Sequence, residues 1–464
     1  MKIIIRSIYY SYHRHLSFDH FHFSFLIIGT NATQRSMTIM MEEEDGKTAT
    51  NHASRTSSLT ILSLNMEFYH QYSKLKEPSE KHAYEQYLKA KIASVDIMCL
   101  QEDLMSGSDE FLRPTRPFHD FRRIVASFEE QDDYDTRNKH LFLHYDEGFT
   151  STLGNSIYVR KGKLLRESSN SESTDEEETT NNAAWTVTAK SVVQISSESL
   201  RLPNNTPLEY RCVVSITLVC SNMDKPVQVL CTHLSGGRFE DRHMDETPFM
   251  NRERGRQMQR CLDQKDETAY NVLVGDFNAS PTRTLAMDGY FRLLQSEKKN
   301  LSMFHFYSYM MAPFTTLAAA AAAAAAASTT IANNHNSNST CVWQLLYDTL
   351  DGPTSRFGHV VDYFVTYPRL PVHAIKRVRM IQQYMEWVTP TADDDFKDES
   401  SATALCAQSI TDHNGVQVTF FFPPKDATAW DSTFQWGPYY PILQYREDPF
   451  EGPVRVNSAD QKST

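Results

Sequence analysis

The strongest constraint on this chain is a series of short apolar, β-rich runs that end in a carboxylate, an amide or an imidazole. LTILSLNM (Leu59–Met66) carries Asn65 near its end, and VDIMCLQE (Val95–Glu102) closes on Glu102. VQVLCTHL (Val227–Leu234) holds His233, and NVLVGDFN (Asn271–Asn278) closes on Asp276 and Asn278. HVVDYFVT (His359–Thr366) contains Asp362, while Asp412 and His413 stand just before VQVTFFF (Val416–Phe422). Runs that are apolar at consecutive positions suit strands covered on both faces. Further strands are expected at His140–Tyr145, Asn155–Arg160, Trp185–Ile195, Tyr210–Cys220 and Ile375–Ile381, and helices over Glu80–Ala93 and Asn251–Leu262. Many strands and few helices along one length of chain predict two packed sheets with helices outside. If the sheets pack face to face, the polar strand ends can converge at one edge.

Taken singly, these residues carry little information. A glutamate after an apolar strand is most often a turn residue, and Asp-x-Asn readily forms Asx-turns. Together they make an oxygen-rich set of carboxylates and an amide, without paired cysteines. Such a set suits magnesium or manganese better than zinc.

In their order and spacing these motifs resemble the endonuclease/exonuclease/phosphatase superfamily, the DNase I-like fold. The matching pieces are Ser63–Met66, Cys99–Asp103, Leu153–Lys161, Cys231–Asp241, Gly275–Pro281, His359–Thr366 and Thr411–Val416. The resemblance implies an α+β fold: a four-layered α/β sandwich of two packed, mainly antiparallel sheets with outer helices. It implies a hydrolase of phosphate esters that uses a divalent metal, usually Mg2+. Glu102 resembles the principal metal ligand, Asn65 the asparagine that helps hold the metal and its water, and Asp412 a further acidic residue of the metal environment. Asp276 resembles the carboxylate that orients or deprotonates the attacking water, and Asn278 the amide that steadies the transition state. His413 resembles the histidine that contacts the scissile phosphate, oriented by Asp362. His233 resembles the second histidine of the DNase- and sphingomyelinase-like branches, and Asn155 an asparagine common in the family. Two positions depart from the pattern: Thr411 stands where serine is usual, and His359 where many relatives carry a basic residue.

Between His233 and Asp276 lies a basic stretch, Arg252, Arg254, Arg256 and Arg260. At helical spacing it is either a solvated helix face or a phosphate-steering patch beside the site, and Arg254 and Arg256 are taken as candidate substrate contacts.

Composition sets outer limits. With 464 residues, 40% of them hydrophobic, the chain can bury a core, which excludes wholesale disorder. A net charge of −12 argues against coating nucleic acid through bulk charge, though not against a local phosphate site. Seven scattered cysteines without a CxxC pair read as buried free thiols of a reducing compartment, so an intracellular location, cytoplasm or nucleus, is expected. Residues 1–57 read as a disordered leader or weak targeting extension, and 58–425 as the catalytic domain. Within it, 167–182 is an acidic, Ser/Thr/Asn-rich insertion and 312–340, with its alanine tract, a second surface insertion; 426–464 is a tail. No transmembrane segment is expected, and a monomer is. The function expected is a phosphodiesterase acting on nucleic acid or nucleic-acid ends. Sphingomyelinase-like or inositol-phosphate phosphatase activity, or an inactive binding module of the same fold, are the alternatives.

Overall fold

The computed structural model describes residues 57–127, 143–144, 150–151, 154–164, 185–196, 211–236, 247–297, 302–329, 343–346, 353–381, 409–422 and 425. These all fall within one compact unit that starts at Thr56. The expected leader (apart from Ser57), the insertion at 167–182 and the tail at 426–464 lie outside the described residues.

Fourteen strands are described: β1 (Ser57–Asn65), β2 (Ile97–Asp103), β3 (Phe121–Ala126), β4 (Leu143–His144), β5 (Thr150–Ser151), β6 (Gly154–Arg160) and β7 (Trp185–Gln194). They continue with β8 (Cys212–Cys220), β9 (Val227–His233), β10 (Tyr270–Asp276), β11 (Gln344–Leu346), β12 (Asp362–Tyr367), β13 (Val372–Val378) and β14 (Gly415–Phe422). The main helices are α1 (Pro78–Lys91), α2 (Met105–Phe111), α3 (Thr247–Leu262), α4 (Leu285–Glu297) and α5 (Met303–Thr329). Two six-stranded sheets form, in the orders β13-β14-β1-β2-β6-β3 and β11-β12-β10-β9-β8-β7, with β4 and β5 as a separate pair. Each sheet is mixed. Its one parallel pair, β1/β2 or β9/β10, is joined by a crossover helix, α1 or α3, and the other pairs are antiparallel. The sandwich is therefore the α+β architecture expected from the sequence.

The apolar runs cover both faces of each sheet. On β1, Leu59 and Ile61 point into the inter-sheet core, where they meet Ile97, Val214, Val229, Val272 and Val418. Leu62 and Leu64 point outward onto Tyr84 and Leu88 of α1. In the other sheet, Val213, Leu230 and Leu273 point outward onto Met258 and Cys261 of α3 and Phe314 and Leu317 of α5. This side-chain alternation of period two produces four layers: helix, sheet, sheet, helix.

The expectation for 312–340 is corrected at its start. The alanine tract continues a long helix, α5, and Phe314 and Leu317 are buried in the core beneath it. Thr315, Ala319, Ala322 and Ala323 face solvent. Helix propensity alone could not sustain the tract; packing of its first turns on α3 does. Helices α4 and α5 and strands β3 and β11 were not expected, although Met287, Tyr290, Phe291 and Leu294 of α4 fall at helical spacing. In α5 the run from Met303 to Leu317 is rich in aromatic residues and methionine all round and includes Pro313 within the helix.

Topology brings the strand ends together. In the β1/β2 parallel pair Asn65 stands beside Gln101, and in β9/β10 His233 stands beside Asp276. Antiparallel β12 begins with Asp362 beside Asp276. His413, two residues before β14, bridges to Ser355 ahead of β12. The ends of β1, β2, β9 and β10 thus share one edge with the starts of β12 and β14.

Candidate active site

Glu102 sits in a β-bulge. Leu100 of β2 pairs with Ser156 of β6, but the next pairing is Asp103 with Gly154, so two residues face one. Glu102 takes φ 50, a left-handed conformation that a residue with a side chain rarely adopts. Its carboxyl is pushed up to about 8, first by burial and then by Asp412, against the opposing pull of His413 and Arg211. Asn65 donates from Nδ2 to Asp276 Oδ2 at 3.1 Å, and its Oδ1 accepts from the backbone N–H of Glu67 at 2.9 Å. Asp276, buried at the end of β10, accepts at Oδ1 from the backbone N–H of Asn278 at 2.7 Å. Burial raises its carboxyl to about 6, although His413 pulls it down.

His413 Nδ1 lies 2.9 Å from Asp362 Oδ2, and its Nε2 lies 3.7 Å from Asp276 Oδ2 and 3.9 Å from Asp412 Oδ1. Burial opposes a charge on this ring, but Asp362, Asp276 and Asp412 outweigh it and hold the imidazole well above its usual range. His413 is therefore an imidazolium at neutral pH, with Nδ1 tied to Asp362 and Nε2–H facing the cleft.

His233 has the opposite character. Its Nδ1 lies 2.8 Å from Arg211 Nη1. An N–H group faces each ring nitrogen, Arg211 at Nδ1 and the Asn278 amide at Nε2, so the ring is enclosed by donors on both sides. Burial, followed by Arg211, places its pKa well below the usual value, so the ring is neutral. Nε2 faces Asp276 Oδ2 at 3.5 Å and Glu102 Oε1 at 3.8 Å. Asn278, at φ 49, donates from Nδ2 to Leu234 O at 2.9 Å and stands 2.8 Å from His233 Nε2.

The donor set fits a hard divalent cation. Glu102, Asp276, Asp362 and Asp412 gather at one edge beside the Asn65 amide, and Glu102, raised first by burial and then by Asp412, lacks a compensating charge there. Asp276, Asp362 and His413 also place one donor atom each within 4.8 Å of one another. Because His413 Nδ1 is already engaged by Asp362, that trio is a carboxylate–imidazole pair with a second carboxylate in reach.

The sequence matches the model described as the Endonuclease/Exonuclease/phosphatase family over residues 62–413. The chain belongs to the endonuclease/exonuclease/phosphatase family. Enzymes of this family are generally divalent-metal-dependent hydrolases of phosphate esters. Similar solved structures include an endonuclease/exonuclease/phosphatase from Bacteroides vulgatus, with TM-score 0.42 and 10% identity, covering 79% of this chain and 100% of that one. The human Nocturnin catalytic domain with bound sulfate gives TM-score 0.41 and 11% identity, covering 79% and 95%. D. rerio TDP2 complexed with single-strand DNA product gives TM-score 0.36 and 11% identity, covering 78% and 99%. No curated protein matches the sequence.

Three sequence candidates are placed differently from the rest. Arg254 is 0% exposed, lies over the Tyr309 ring, and donates to the backbone carbonyls of Tyr309 and Phe277, each at 2.7 Å, and of Asn278. It clamps the loop after β10 from behind, which corrects its reading as a substrate contact. Asn155 is buried and donates from Nδ2 to Cys212 O on the facing sheet at 2.7 Å, so its amide ties the sheets together beneath the cleft. Arg256 is exposed, with Glu253 Oε2 3.9 Å from its Nη1. His359, the second departure from the family pattern, is a core residue: burial lowers its pKa to about 4, and it packs edge-on to Tyr290.

Two residues of the site escaped sequence reasoning. Arg211, the residue before β8, looks like an ordinary strand-edge arginine, and Asp103 like a polar end to β2. Only pairing across strands reveals their partners.

Proposed function

We propose that the chain is a magnesium- or manganese-dependent phosphodiesterase acting on nucleic acid or nucleic-acid ends. The observation that carries this is the convergence of Asn65, Glu102, Asp276, Asn278, Asp362 and His413 at one edge of the sandwich, with His413 held charged by Asp362. Glu102 and Asn65, with Asp412 nearby, would hold the cation. The cation, when bound, screens the anionic phosphodiester and polarises its oxygens.

The remaining chemistry belongs to side chains. Asp276 lies between Asn65 and His413, and its carboxylate orients and deprotonates the attacking water. His413 presents a charged N–H to a phosphate oxygen and is kept from turning by Asp362. His233, a neutral imidazole, lines the cleft beside Asp276 and Glu102. Asn278 is fixed by Leu234 O and stands ready beside the same oxygens. Fixed donors aimed at developing negative charge are the largest single contribution in sites of this kind.

Two surface features favour a nucleic-acid substrate over a lipid one. Among the described residues the large apolar side chains that are exposed are Met105, Val219 and Phe304, which lie on separate elements and form no expected membrane face. Lys74 and Arg356 lie close enough to Glu67 to lower its carboxyl, although burial and Asp412 still carry it up to about 7. They supply local positive charge beside an otherwise acidic edge. A magnesium-supplemented panel of abasic DNA, 5′-tyrosyl DNA, RNA, sphingomyelin and inositol phosphates tests the substrate class. Hydrolysis of at least one nucleic-acid substrate is expected; turnover confined to sphingomyelin or inositol phosphates would overturn it.

A further inference from the structure

Asp103 is buried at 0% exposure on the face of β2 opposite the cleft, among Tyr69, Phe111, Phe118, Phe121 and Tyr158. An apolar side chain there would avoid the cost of taking a carboxylate out of water. Instead, Asp103 accepts three hydroxyl hydrogen bonds. Tyr69 donates to Oδ1, Ser156 donates to Oδ2, and Tyr158 donates to Oδ2 at 2.8 Å.

The three donors come from two places that matter to the site. Ser156 and Tyr158 belong to β6, the strand against which β2 is bulged at Glu102. Tyr69 ends the turn Glu67-Phe68-Tyr69, whose three residues all have positive φ, at 49, 53 and 58. That turn begins two residues after Asn65 and supplies the Glu67 backbone N–H that fixes the Asn65 amide. One carboxylate therefore ties together the two unfavourable backbone segments that present Asn65 and Glu102.

We propose that Asp103 is a positioning residue for cation binding: through Tyr69 on one side and Ser156 and Tyr158 on the other, it holds the Asn65 turn and the Glu102 bulge in register, so that both side chains enter the cleft with fixed spacing. The inference rests on Asn65 and Glu102 being the cation-binding arms. When the anchor is removed, the bulge and the turn relax independently. Affinity for the cation falls, while turnover at saturating cation largely survives because Asp276, Asp362 and His413 are untouched.

The test uses the full chain with Asp103→Asn and Tyr69→Phe, and with Tyr87→Phe as a control that removes a hydroxyl from the same cluster without touching Asp103. Mn2+ binding is measured calorimetrically without substrate, thermal stability in EDTA, and the Mg2+ concentration giving half-maximal turnover. Loss of a residue that supports metal ligands from behind typically weakens metal binding by about 10- to 100-fold. That loss is expected for Asp103→Asn and Tyr69→Phe, with a matching rise in the Mg2+ requirement and little change in saturated turnover; Tyr87→Phe should bind Mn2+ like wild type. If Tyr69→Phe and any folded Asp103→Asn bind Mn2+ as tightly as wild type while melting lower, the role is structural only and the proposal is overturned. Should Asp103→Asn fail to fold, Tyr69→Phe decides alone. Glu102→Gln separates the two levels. If it binds Mn2+ like wild type, the assignment of the cation arms fails and this inference falls with it; if it loses binding while Tyr69→Phe does not, only this inference fails.

Discussion

At the scale of single residues, the site works by giving like side chains unlike surroundings. Two histidines lie around the same carboxylate, Asp276, yet Asp362 holds His413 charged while burial, and then Arg211, hold His233 neutral. Asp362→Asn should therefore move the alkaline limb of the pH–rate profile downward, because His413 loses the charge that raises it most. His413→Ala should lower turnover further. Losses in the double variant well short of additive are expected, since both residues act through one imidazole, and a double-mutant cycle on turnover measures this. Additive losses would mean the pair does not act as a unit. The arginines of α3 divide in the same way. Arg254→Gln leaves three backbone carbonyls without their buried donor and should destabilise the fold by about 3 kcal/mol or more, read as a lower Tm. Arg256→Gln, at an exposed position, should leave Tm within about a degree or two, as surface changes usually do.

At the scale of elements, strands were legible and helices less so. The strands carrying Asn65, Glu102, His233, Asp276 and Asp362 all fall where the apolar runs put them, to within a few residues. A strand covered on both faces writes its burial into consecutive positions. Helix α5 writes no such signal: its first half is apolar all round and its second half is alanine, so neither part shows an amphipathic period. Its role is visible only in packing. Phe314→Ala and Leu317→Ala should each cost roughly 2–5 kcal/mol, whereas Ala323→Lys, on the exposed part of the same helix, should be near neutral. Chemical denaturation of the three variants checks this, and equal stability of Phe314→Ala and wild type would return the whole segment to the status of a surface insertion. The residues hidden from sequence, Arg211 and Asp103, have side-chain partners 22 to 55 positions away on other strands or turns, and no local pattern marks such partners.

At the scale of the whole molecule, the sandwich concentrates carboxylates at one edge, which makes stability depend on pH and on a cation. Glu102 has its folded pKa raised from 4.5 to about 8, so its protonated form favours the fold below 4.5 and that contribution is lost as pH rises through about 8. His413 is raised above 6.5, so its contribution is present below 6.5 and is likewise lost as pH rises through its folded value. Both effects act in one direction across the interval from 6.5 to 8. In EDTA the Tm should fall over that interval, Glu102→Gln should flatten the fall, and saturating Mg2+ should raise Tm most at the alkaline end. A Tm in EDTA that rises over the same interval would contradict the electrostatic account. The central claim, a metal-assisted phosphodiester hydrolysis centred on Asp276, is tested most directly by turnover of bis-p-nitrophenyl phosphate by wild type and Asp276→Asn, with Mg2+, with EDTA, and with Mg2+ restored. Wild type should hydrolyse it with Mg2+, stop in EDTA and recover on restoration, while Asp276→Asn should be slower by about 100-fold or more, the scale of losing one electrostatic element of such a site. Hydrolysis that persists in EDTA, or an Asp276→Asn variant that turns over like wild type, would contradict it.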